Sequence, residues 1–279
     1  MVRTHVAGGD QGAYSVEHSS NLRKASSSDP RLATARIVRR RDFTDDLFVI
    51  WLEPDIRFEF IAGQYVTIGA DGIERPYSIA SAPYEPHLEL FIEFVLPEHG
   101  GHLTPLLYAR QVGDVLTMRP KPKGQFTLRA GVKNHVMVAT VTGVAPYVSM
   151  IRQFFHDRET GTGAREDDCR FFIMQGASHH DEFVYDRELL DLSARHPGVI
   201  EFVCSVSRPA AERNSLWTGR VGRIHLLVEE HLERWALAKE SSLLYLCGNP
   251  GMIKDATAAL VPLGWAVLAE QFWPLRPQK

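Results

Sequence analysis

Cysteine is scarce in this chain of 279 residues, and Cys169, Cys204 and Cys247 lie far apart in the sequence. Iron–sulfur centres and structural zinc sites need closely spaced cysteines, and a disulfide framework needs a larger, even set. The pattern therefore excludes these kinds of site. The adjacent His179 and His180 lack ligand spacing on one helix face, so no metal site is predicted. Any redox chemistry would have to use an organic cofactor.

Long apolar runs and a strong net charge are absent as well. No apolar run approaches the roughly 18 residues that a membrane-spanning helix needs, and the N-terminal segment lacks the apolar core of a signal peptide. We therefore expect no membrane span and a cytoplasmic location. The formal net charge is only −3, so no general attraction to nucleic acid or membranes is expected.

The sequence does contain enough apolar residues for two domains. Hydrophobic residues make up 44% and charged residues 23%, a composition typical of globular proteins with packed cores, and the length suits two domains of ordinary size. Residues 1–30 differ, because they are rich in glycine, serine and polar residues. This segment is predicted to form a flexible leader.

The hydrophobic pattern changes near residue 130. Residues 31–130 contain short strand-like segments separated by turn residues, which favours an antiparallel barrel or sandwich. In residues 131–279, short apolar strands alternate with helical segments, which is typical of a parallel-sheet α/β domain that binds a nucleotide. The sequence therefore predicts two domains of different class.

The predicted elements are as follows. Strands of the first domain are expected at Ala35–Arg39, Leu47–Leu52, Tyr65–Ile68, Arg75–Ser81, Leu88–Val95 and Val115–Arg119. Strands of the second domain are expected at Val136–Ala139, Cys169–Met174, Val199–Val206, Ser242–Cys247 and Trp265–Ala269. Helices are expected at Tyr147–Phe155 and Tyr185–Arg195.

The segment that begins at Arg75 combines a cation, a proline, an aromatic ring and a hydroxyl group. Arg75 can pair with phosphate oxygens, Tyr77 can lie against a flat ring, and the Ser78 hydroxyl can bond to a ring nitrogen. An aromatic cofactor that carries a pyrophosphate needs this combination. The alternative is an ordinary strand in which Tyr77 packs in a core and Arg75 is solvated.

Glycines precede predicted helix starts in both domains. In the first domain, the Gly100–Leu107 segment reads as a glycine loop that opens onto a short helix, whose free N–H groups suit an anion. The alternative is that Thr104 only caps the helix. In the second domain, Thr142–Pro146 connects a strand to a helix, as in a turn that binds the pyrophosphate of a dinucleotide.

These motifs resemble those of the ferredoxin–NADP reductase family over about residues 32–273. Arg75-Pro76-Tyr77-Ser78 is similar to the family's Arg-x-Tyr-Ser, Gly101-His102-Leu103-Thr104 to its Gly-x-Leu-Ser/Thr, and Cys247-Gly248-Asn249-Pro250-Gly251-Met252 to its Cys-Gly-x-Pro-x-Met. The nucleotide turn departs from Gly-Thr-Gly-x-Ala-Pro, since Val141 replaces the first glycine. A β-branched residue does not readily adopt positive φ and narrows the approach of the backbone to phosphate.

The resemblance implies the fold and the cofactors. It implies an antiparallel β-barrel that binds FAD at residues 31–130 and an α/β parallel-sheet domain that binds NADP(H) at residues 131–279. The implied cofactor-binding residues are Arg75, Pro76, Tyr77, Ser78, Phe91, His102, Leu103, Thr104, Thr142, Gly143, Ala145, Pro146, Ser207, Arg208, Arg220, Gly248, Asn249, Met252, Phe272 and Trp273.

Five residues are implied to act near the reacting rings. Tyr77 and Phe272 are implied to stack on opposite faces of the flavin, and Ser78 to bond near its reactive nitrogen. Cys247 is implied to shape the place where nicotinamide meets flavin, although burial as a small apolar residue is the alternative. Glu270 is a proton relay for reduced flavin or, alternatively, a member of a salt bridge.

The coenzyme preference depends on cations for the 2′-phosphate. Bacterial family members carry Ser-Arg and Thr-Gly-Arg motifs for this group, and these match Ser207-Arg208 and Thr218-Gly219-Arg220. The resemblance therefore implies NADP(H). Another arginine often found in the family is replaced here by Ser178, so NADH is the alternative.

The implied activity is that of a ferredoxin/flavodoxin–NADP reductase. Such an enzyme passes a hydride between NADP(H) and FAD, and single electrons to or from ferredoxin or flavodoxin. Basic residues that could dock an acidic carrier occur at Arg39–Arg41 and at Arg119–Lys123, although solvated strand ends are the alternative. Two other functions stay open: an NADH-dependent reductase of an oxygenase or cytochrome-b5-reductase type, and a non-catalytic flavin-binding subunit, which Val141 and Ser178 would favour.

Overall fold

The computed structural model describes residues 32–162 and 169–271. These residues form two sheets of six strands each. The leader predicted for residues 1–30 lies outside the described residues, and so do Phe272 and Trp273. Within the described ranges, no helix has both the length and the apolar character that crossing a bilayer requires.

The first sheet is antiparallel and confirms the predicted barrel. Its strands are β1 Ala33–Asp42, β2 Leu47–Pro54, β3 Tyr65–Ala70, β4 Ile73–Ser78, β5 Leu88–Glu93 and β6 Val115–Met118. They follow the order β4-β3-β6-β1-β2-β5. A bridge between Ile79 and Leu90 joins the two ends of this order, so the sheet closes on itself. Closure removes the exposed edges that an open sheet would present.

Alternating side chains fill the barrel. In β1, Ala33, Ala35 and Ile37 are buried whereas Thr34 is half-buried and Arg36 is exposed, as the two-residue period of a strand requires. The short helix α1, Thr104–Tyr108, lies between β5 and β6 and adds its buried side chains to the same core.

The second sheet is parallel and confirms the predicted α/β class. Its strands are β7 Asn134–Thr140, β8 Arg170–Ala177, β9 Ile200–Val206, β10 Arg220–Val221, β11 Ser242–Cys247 and β12 Val267–Glu270, and its helices are α2 Ala145–Thr160, α3 Asp186–Arg195, α4 Val228–Arg234 and α5 Pro250–Leu260. Strand β10 and helix α4 were not predicted. The two side chains of β10 are both exposed, so no hydrophobic pattern indicates this strand.

The order of the second sheet places a crevice at its centre. The order is β10-β9-β8-β7-β11-β12. Strands β8, β9 and β10 therefore lie on one side of β7, and β11 and β12 lie on the other side, so the order reverses at β7. Ligands of such sheets bind at the carboxyl ends of the strands on either side of this reversal. The turns that follow Thr140 and Cys247 lie at this point.

Helix α2 joins the second sheet to the barrel. Tyr147 and Met150 of α2 belong to the same hydrophobic cluster as Phe91 and Phe126 of the first domain. Beside this cluster, the Arg152 guanidinium pairs with the carboxylates of Glu85, Glu89 and Glu188. Since an apolar interface of this kind holds domains in one arrangement, α2 fixes how the two halves face each other.

Candidate functional site

A cavity of about 1860 Å³ lies between the barrel and the parallel sheet. A single small-molecule site usually has roughly 300–1,000 Å³, so this cavity has room for more than one ligand. Predicted site residues that line it are Arg75, Pro76, Tyr77, Ser78, Phe91, His102, Thr104, Thr142, Gly143, Ala145, Ser207, Arg208, Cys247, Gly248, Asn249 and Met252. The structure therefore brings both sets of motifs to one place.

Four predicted residues within the described ranges do not line this cavity. They are Leu103, Pro146, Arg220 and Glu270. The Leu103 side chain is 1% exposed and belongs to the barrel core, and Pro146 is buried in the first turn of α2.

Strand β4 supplies the barrel wall of the cavity. It lies at one end of the strand order, and Arg75 and Tyr77 project from the same face because they are two residues apart. The Arg75 side chain is anchored by Nη1, which donates to the Glu74 carbonyl oxygen at 2.7 Å. Burial raises the pKa of Tyr77 above its ordinary value, so this residue offers a neutral phenol ring at physiological pH.

The glycine loop lies flat against the end of β5. A side chain on Gly101 would place its Cβ 1.8 Å from the Val95 carbonyl oxygen, so only glycine fits there. The Thr104 hydroxyl accepts from the Val95 N–H at 3.0 Å and donates to the Val95 carbonyl oxygen at 3.1 Å. Helix α1 has Leu103 as its N-cap with no side-chain capping bond. The alternative that Thr104 only caps the helix is therefore wrong.

The two turns of the parallel sheet contact each other. A Cβ on Gly143 would lie 2.3 Å from the Cys247 carbonyl oxygen, and one on Gly248 would lie 2.3 Å from Thr140 Oγ1. Thr140 Oγ1 also accepts from the Asn249 N–H at 2.7 Å. Glycine at both positions therefore lets the turns approach closely.

Asn249 has a structural task that sequence reasoning missed. Its Oδ1 accepts from the N–H groups of Gly251 at 2.8 Å and Met252 at 3.3 Å, which caps helix α5. An asparagine followed by proline at the first helical position is typical of a helix start, so this signal was present in the sequence.

Val141 adopts the positive φ that its side chain disfavours. Its φ is +41°, in the left-handed region where a β-branched residue is an outlier. The turn thus keeps the backbone geometry that a glycine would give. The carbonyl oxygen of Val141 accepts from Gln175 Nε2 at 3.1 Å.

Cys247 and Glu270 stand side by side at the strand ends. Parallel pairing sets Cys247 opposite Ala139 on one side and Glu270 on the other. Burial, and then the nearby Glu270 charge, raise the pKa of the Cys247 thiol well above its ordinary value, so this thiol stays protonated.

Glu270 is a half-buried carboxyl group that lies close to the first domain. Burial raises its pKa to about 8, and its Oε2 has no hydrogen-bond partner among the described residues. Oε1 lies near Gly124 of the first domain, where an added Cβ would be 3.2 Å away. Within the part of the chain that the structure describes, Glu270 makes no salt bridge, so the salt-bridge alternative has no support there.

The arginines near the carboxyl end of β9 differ in position. Arg208 and Arg223 both line the cavity, whereas Arg220 does not. Arg220 pairs with Glu230 at 3.1 Å. Sequence reasoning missed Arg223, although Gly222-Arg223 repeats the pattern Gly219-Arg220 three residues later.

An acidic group on the barrel wall was also missed. Glu93 at the end of β5 lines the cavity, and burial together with the charges of Asp46 and Glu182 raises its pKa to about 7. Glu182 comes from the second domain, so negative groups of both domains approach each other here. A glutamate at a strand end does not indicate in the sequence that it will lie near acidic residues of the other domain.

The predicted docking arginines are only partly available. Arg40 donates to the carbonyl oxygens of Tyr108 and Arg110, each at 2.6 Å, and Arg119 pairs with Glu74 at 2.6 Å. Arg39 and Arg41 remain exposed on β1. The hypothesis of a continuous cluster at Arg39–Arg41 is therefore corrected, since Arg40 is directed toward backbone carbonyls.

Comparisons with known proteins agree with this geometry. The family model described as oxidoreductase NAD-binding domain matches residues 137–258. The flavodoxin/ferredoxin–NADP reductase of Escherichia coli strain K12 is 29% identical over 235 residues, covering 80% of this chain and 87% of that protein. The phenol hydroxylase P5 protein of Acinetobacter pittii is 29% identical over 232 residues, covering 81% and 61%.

A solved structure is similar over nearly the whole described chain. The ferredoxin NADP+ reductase of Neisseria gonorrhoeae, with bound FAD and NADP, superposes with a TM-score of 0.73 at 25% identity. The match covers 88% of this chain and 100% of that chain. The similarity therefore includes both sheets and the cavity between them.

Proposed function

Because this chain belongs to the ferredoxin–NADP reductase family, we propose that it is an FAD-dependent reductase. It exchanges a hydride with NADP(H) and single electrons with a ferredoxin or flavodoxin. The observation that carries the proposal is the single cavity with Arg75 and Tyr77 on one wall and Gly143 and Cys247 on the other. Hydride transfer needs two bound rings held face to face.

The barrel wall fits the flavin half of the site. Bound FAD supplies a ring that accepts a hydride and releases electrons one at a time. Arg75 offers a guanidinium to the pyrophosphate, Tyr77 offers a neutral ring, and Ser78 offers a hydroxyl beside it. The glycine loop lines the same cavity through Gly100, His102 and Thr104. Phe272 and Trp273, which lie outside the described residues, stay predictions for the other flavin face.

The parallel-sheet wall fits the nucleotide half. The turn through Thr142 and Gly143 precedes helix α2, whose N-terminal N–H groups suit a pyrophosphate. Arg208 and Arg223 supply positive charge farther along the cavity, where neither makes an ion pair with any described residue. Two such cations favour a 2′-phosphate, and therefore NADP(H) over NADH.

Two residues act at the meeting point of the halves. We propose that Glu270, protonated at neutral pH because burial raises its pKa to about 8, holds a proton for reduced flavin. Cys247 shapes the nicotinamide pocket as a neutral thiol. Neither residue changes the organic chemistry of the cofactors, but Cys247, which lines the cavity, limits which ring positions fit between the walls.

The carrier is proposed to be an acidic ferredoxin or flavodoxin. Arg39 and Arg41 are exposed on the barrel, each with its guanidinium over an aromatic ring, Trp51 at 4.3 Å and Phe43 at 4.4 Å. This arrangement holds two cations at the surface without neutralising them, and steering by such charges raises the association rate. The cytoplasmic location expected from the sequence stays a prediction.

A second function is the reductase component of an oxygenase system. The similarity to the phenol hydroxylase P5 protein favours it, although this chain covers 61% of that protein. The two functions share the flavin and nicotinamide steps and differ in the electron acceptor.

The experiment that tests the proposed function has two steps. Protein loaded with FAD is first passed through gel filtration. The unchanged protein should keep its bound flavin, whereas Arg75→Ala should lose the flavin. Arg57→Ala, an exposed barrel arginine away from the cavity, is the matched control and should keep it. NADPH should then reduce added ferredoxin or flavodoxin only when FAD is present. Absence of bound flavin in the unchanged protein would overturn the proposal.

A further inference from the structure

We propose that Gln175 is a positioning residue for the nucleotide turn, because its buried amide holds Val141 in a conformation that aims the next N–H group into the cavity. The inference deepens the proposed function and rests on it for the identity of the ligand. It concerns the coupling of two residues, Gln175 on β8 and Val141 after β7, and not the position of the nucleotide site itself.

Val141 is the part of the turn that needs support. Among the described residues, three that are not glycine have positive φ: Asp71, Val141 and Ala236. Val141 is the β-branched member of this set, and its φ of +41° is a conformation that glycine adopts without cost. Without other contacts, the backbone at Val141 would move toward an ordinary conformation and change the turn.

Gln175 is placed directly beneath this turn. In the register of β7 and β8, Gln175 pairs with Ala139 and Gly176 pairs with Thr140. The Gln175 side chain lies on the same strand face as Phe171 and Ile173, which pack in the cluster that includes α2. From there its Nε2 donates to the Val141 carbonyl oxygen at 3.1 Å.

The burial of Gln175 indicates a specific task. The residue is 0% exposed, and its Oε1 has no hydrogen-bond partner among the described residues. A buried, half-satisfied amide is less favourable than an apolar side chain at such a strand position. The bond to Val141 is the contact that an apolar residue could not make.

This bond sets the direction of the next N–H group. In a trans peptide the carbonyl oxygen and the following N–H point in opposite directions. Since the Val141 carbonyl points at buried Gln175, the Thr142 N–H points away from the core. Val141, Thr142 and Gly143 line the cavity, so this N–H faces the place where an anionic phosphate would lie.

The other contacts of the turn come mainly from its backbone. Thr140 is held by the Asn249 N–H at 2.7 Å, Gly143 abuts the Cys247 carbonyl oxygen, and Val141–Val144 form a 3₁₀ turn. The Val141 side chain packs beside two hydrophobic clusters. Gln175 adds a side-chain bond to the first carbonyl group of this 3₁₀ turn, and a glycine at residue 141 would need less support.

The test is a double-mutant cycle on the FAD-loaded protein. NADP+ binding to oxidised protein is measured by isothermal titration calorimetry for the unchanged protein, Gln175→Met, Val141→Gly and the double variant. Gln175→Met keeps the side-chain volume but removes the amide. We expect it to weaken NADP+ binding about five- to tenfold, within the energy of one buried hydrogen bond. FAD content should stay unchanged.

Rescue by glycine distinguishes positioning from general packing. In the Val141→Gly background, Gln175→Met should change NADP+ binding by less than about twofold, because glycine keeps the turn conformation unaided. Equal losses in both backgrounds would overturn the inference. Met174→Leu, on the opposite face of β8, is the matched control and should bind NADP+ normally.

A readout without nucleotide separates this inference from the proposed function. Amide hydrogen exchange in the 140–146 segment should become faster in Gln175→Met than in the unchanged protein, and the difference should vanish in the Val141→Gly background. Unchanged exchange in Gln175→Met would overturn the inference. If the unchanged protein binds neither NADP+ nor NAD+, the proposed function fails, while the exchange result still decides the role of Gln175. If Gln175→Met alone does not fold while the double variant does, that rescue by glycine supports the inference. If neither folds while Val141→Gly does, the inference is overturned.

Discussion

Arg208 and Arg223 occupy equivalent positions after two neighbouring parallel strands, β9 and β10. Val206 of β9 pairs with Val221 of β10, and each arginine lies two residues beyond its member of this pair. Both side chains therefore reach the same edge of the sheet, and both line the cavity. Arg220 precedes this edge and pairs with Glu230.

This register predicts which arginines select the coenzyme. Arg223→Ala and Arg208→Ala should each raise the KM for NADPH at least about tenfold, equivalent to ~1.4 kcal/mol, and leave the KM for NADH nearly unchanged. The reason is that only NADPH carries the 2′-phosphate. Steady-state kinetics with both coenzymes measures the effect.

Arg220→Ala is the matched control for these variants. It should change the KM for NADPH by less than about threefold, because Arg220 is paired with Glu230 outside the cavity lining. If Arg220→Ala shows the large effect and Arg223→Ala does not, the Thr-Gly-Arg motif is the better guide and the register argument is wrong.

Glu270 predicts a pH dependence of stability. Burial raises its pKa from the ordinary 4.5 to about 8, so the folded protein binds a proton that the unfolded chain releases above pH 4.5. Stability from this group is therefore complete below pH 4.5, falls as pH rises, and levels off above about 8. Because the carboxyl is only partly buried, the total change should be about 2 kcal/mol.

Glu270→Gln provides the comparison. This variant keeps the shape and removes the Glu270 titration, so its free energy of unfolding should decline between pH 5 and 8 by about 2 kcal/mol less than that of the unchanged protein. Part of the decline remains, because burial also raises the pKa of Glu93, to about 7. Urea denaturation at several pH values measures both proteins. Parallel curves for the two would mean that Glu270 titrates normally in the folded state.

The ion pairs of Arg152 hold helix α2 against the barrel, and we expect their loss to lower stability. Its guanidinium donates to both oxygens of Glu188 at 2.7 and 2.8 Å and to Glu89 at 2.7 Å. Glu89, whose side chain is 5% exposed, also accepts from the Tyr185 hydroxyl at 2.8 Å. Arg152→Met should lower the free energy of unfolding by about 3–5 kcal/mol, since it leaves a buried carboxylate without its cation.

Two variants test the cause of that loss. Glu89→Gln in the Arg152→Met background should recover part of the stability, because the buried group then carries no charge. Arg195→Met removes an exposed arginine paired with Asp191 and should cost less than about 1 kcal/mol. Chemical denaturation that gives equal losses for Arg152 and Arg195 would contradict the importance of the buried contacts.

The sequence predicted the two sheets because their strands carry strong patterns. The alternation in β1 and the wholly apolar run Val136–Ala139 in β7 are typical of strands buried on one and two faces respectively. Strand ends were less accurate: the strand expected at Leu88–Val95 ends at Glu93, which lies opposite Leu47, the first residue of its partner β2. The end of a strand thus depends on where a distant partner begins, and the local sequence pattern does not show this.

The site residues were predictable where a local sequence motif contains them. They were not predictable where the pairing of distant strands decides which residues reach the cavity. Arg75 to Ser78 lie on one strand, so their shared wall follows from the sequence. The choice between Arg220 and Arg223 depends on strand pairing. Gln175 resembles any residue of a buried strand until its contact with Val141 is known. Long-range pairing is the information that a single sequence does not display.

The central claim is that one cavity holds a flavin and a nicotinamide in reacting contact, and anaerobic titration tests it most directly. FAD-loaded protein is titrated with NADPH and, separately, with NADH, while the flavin absorption bands are followed. The account predicts that both bands bleach, and that less NADPH than NADH is needed. Bound flavin that neither coenzyme reduces would contradict it.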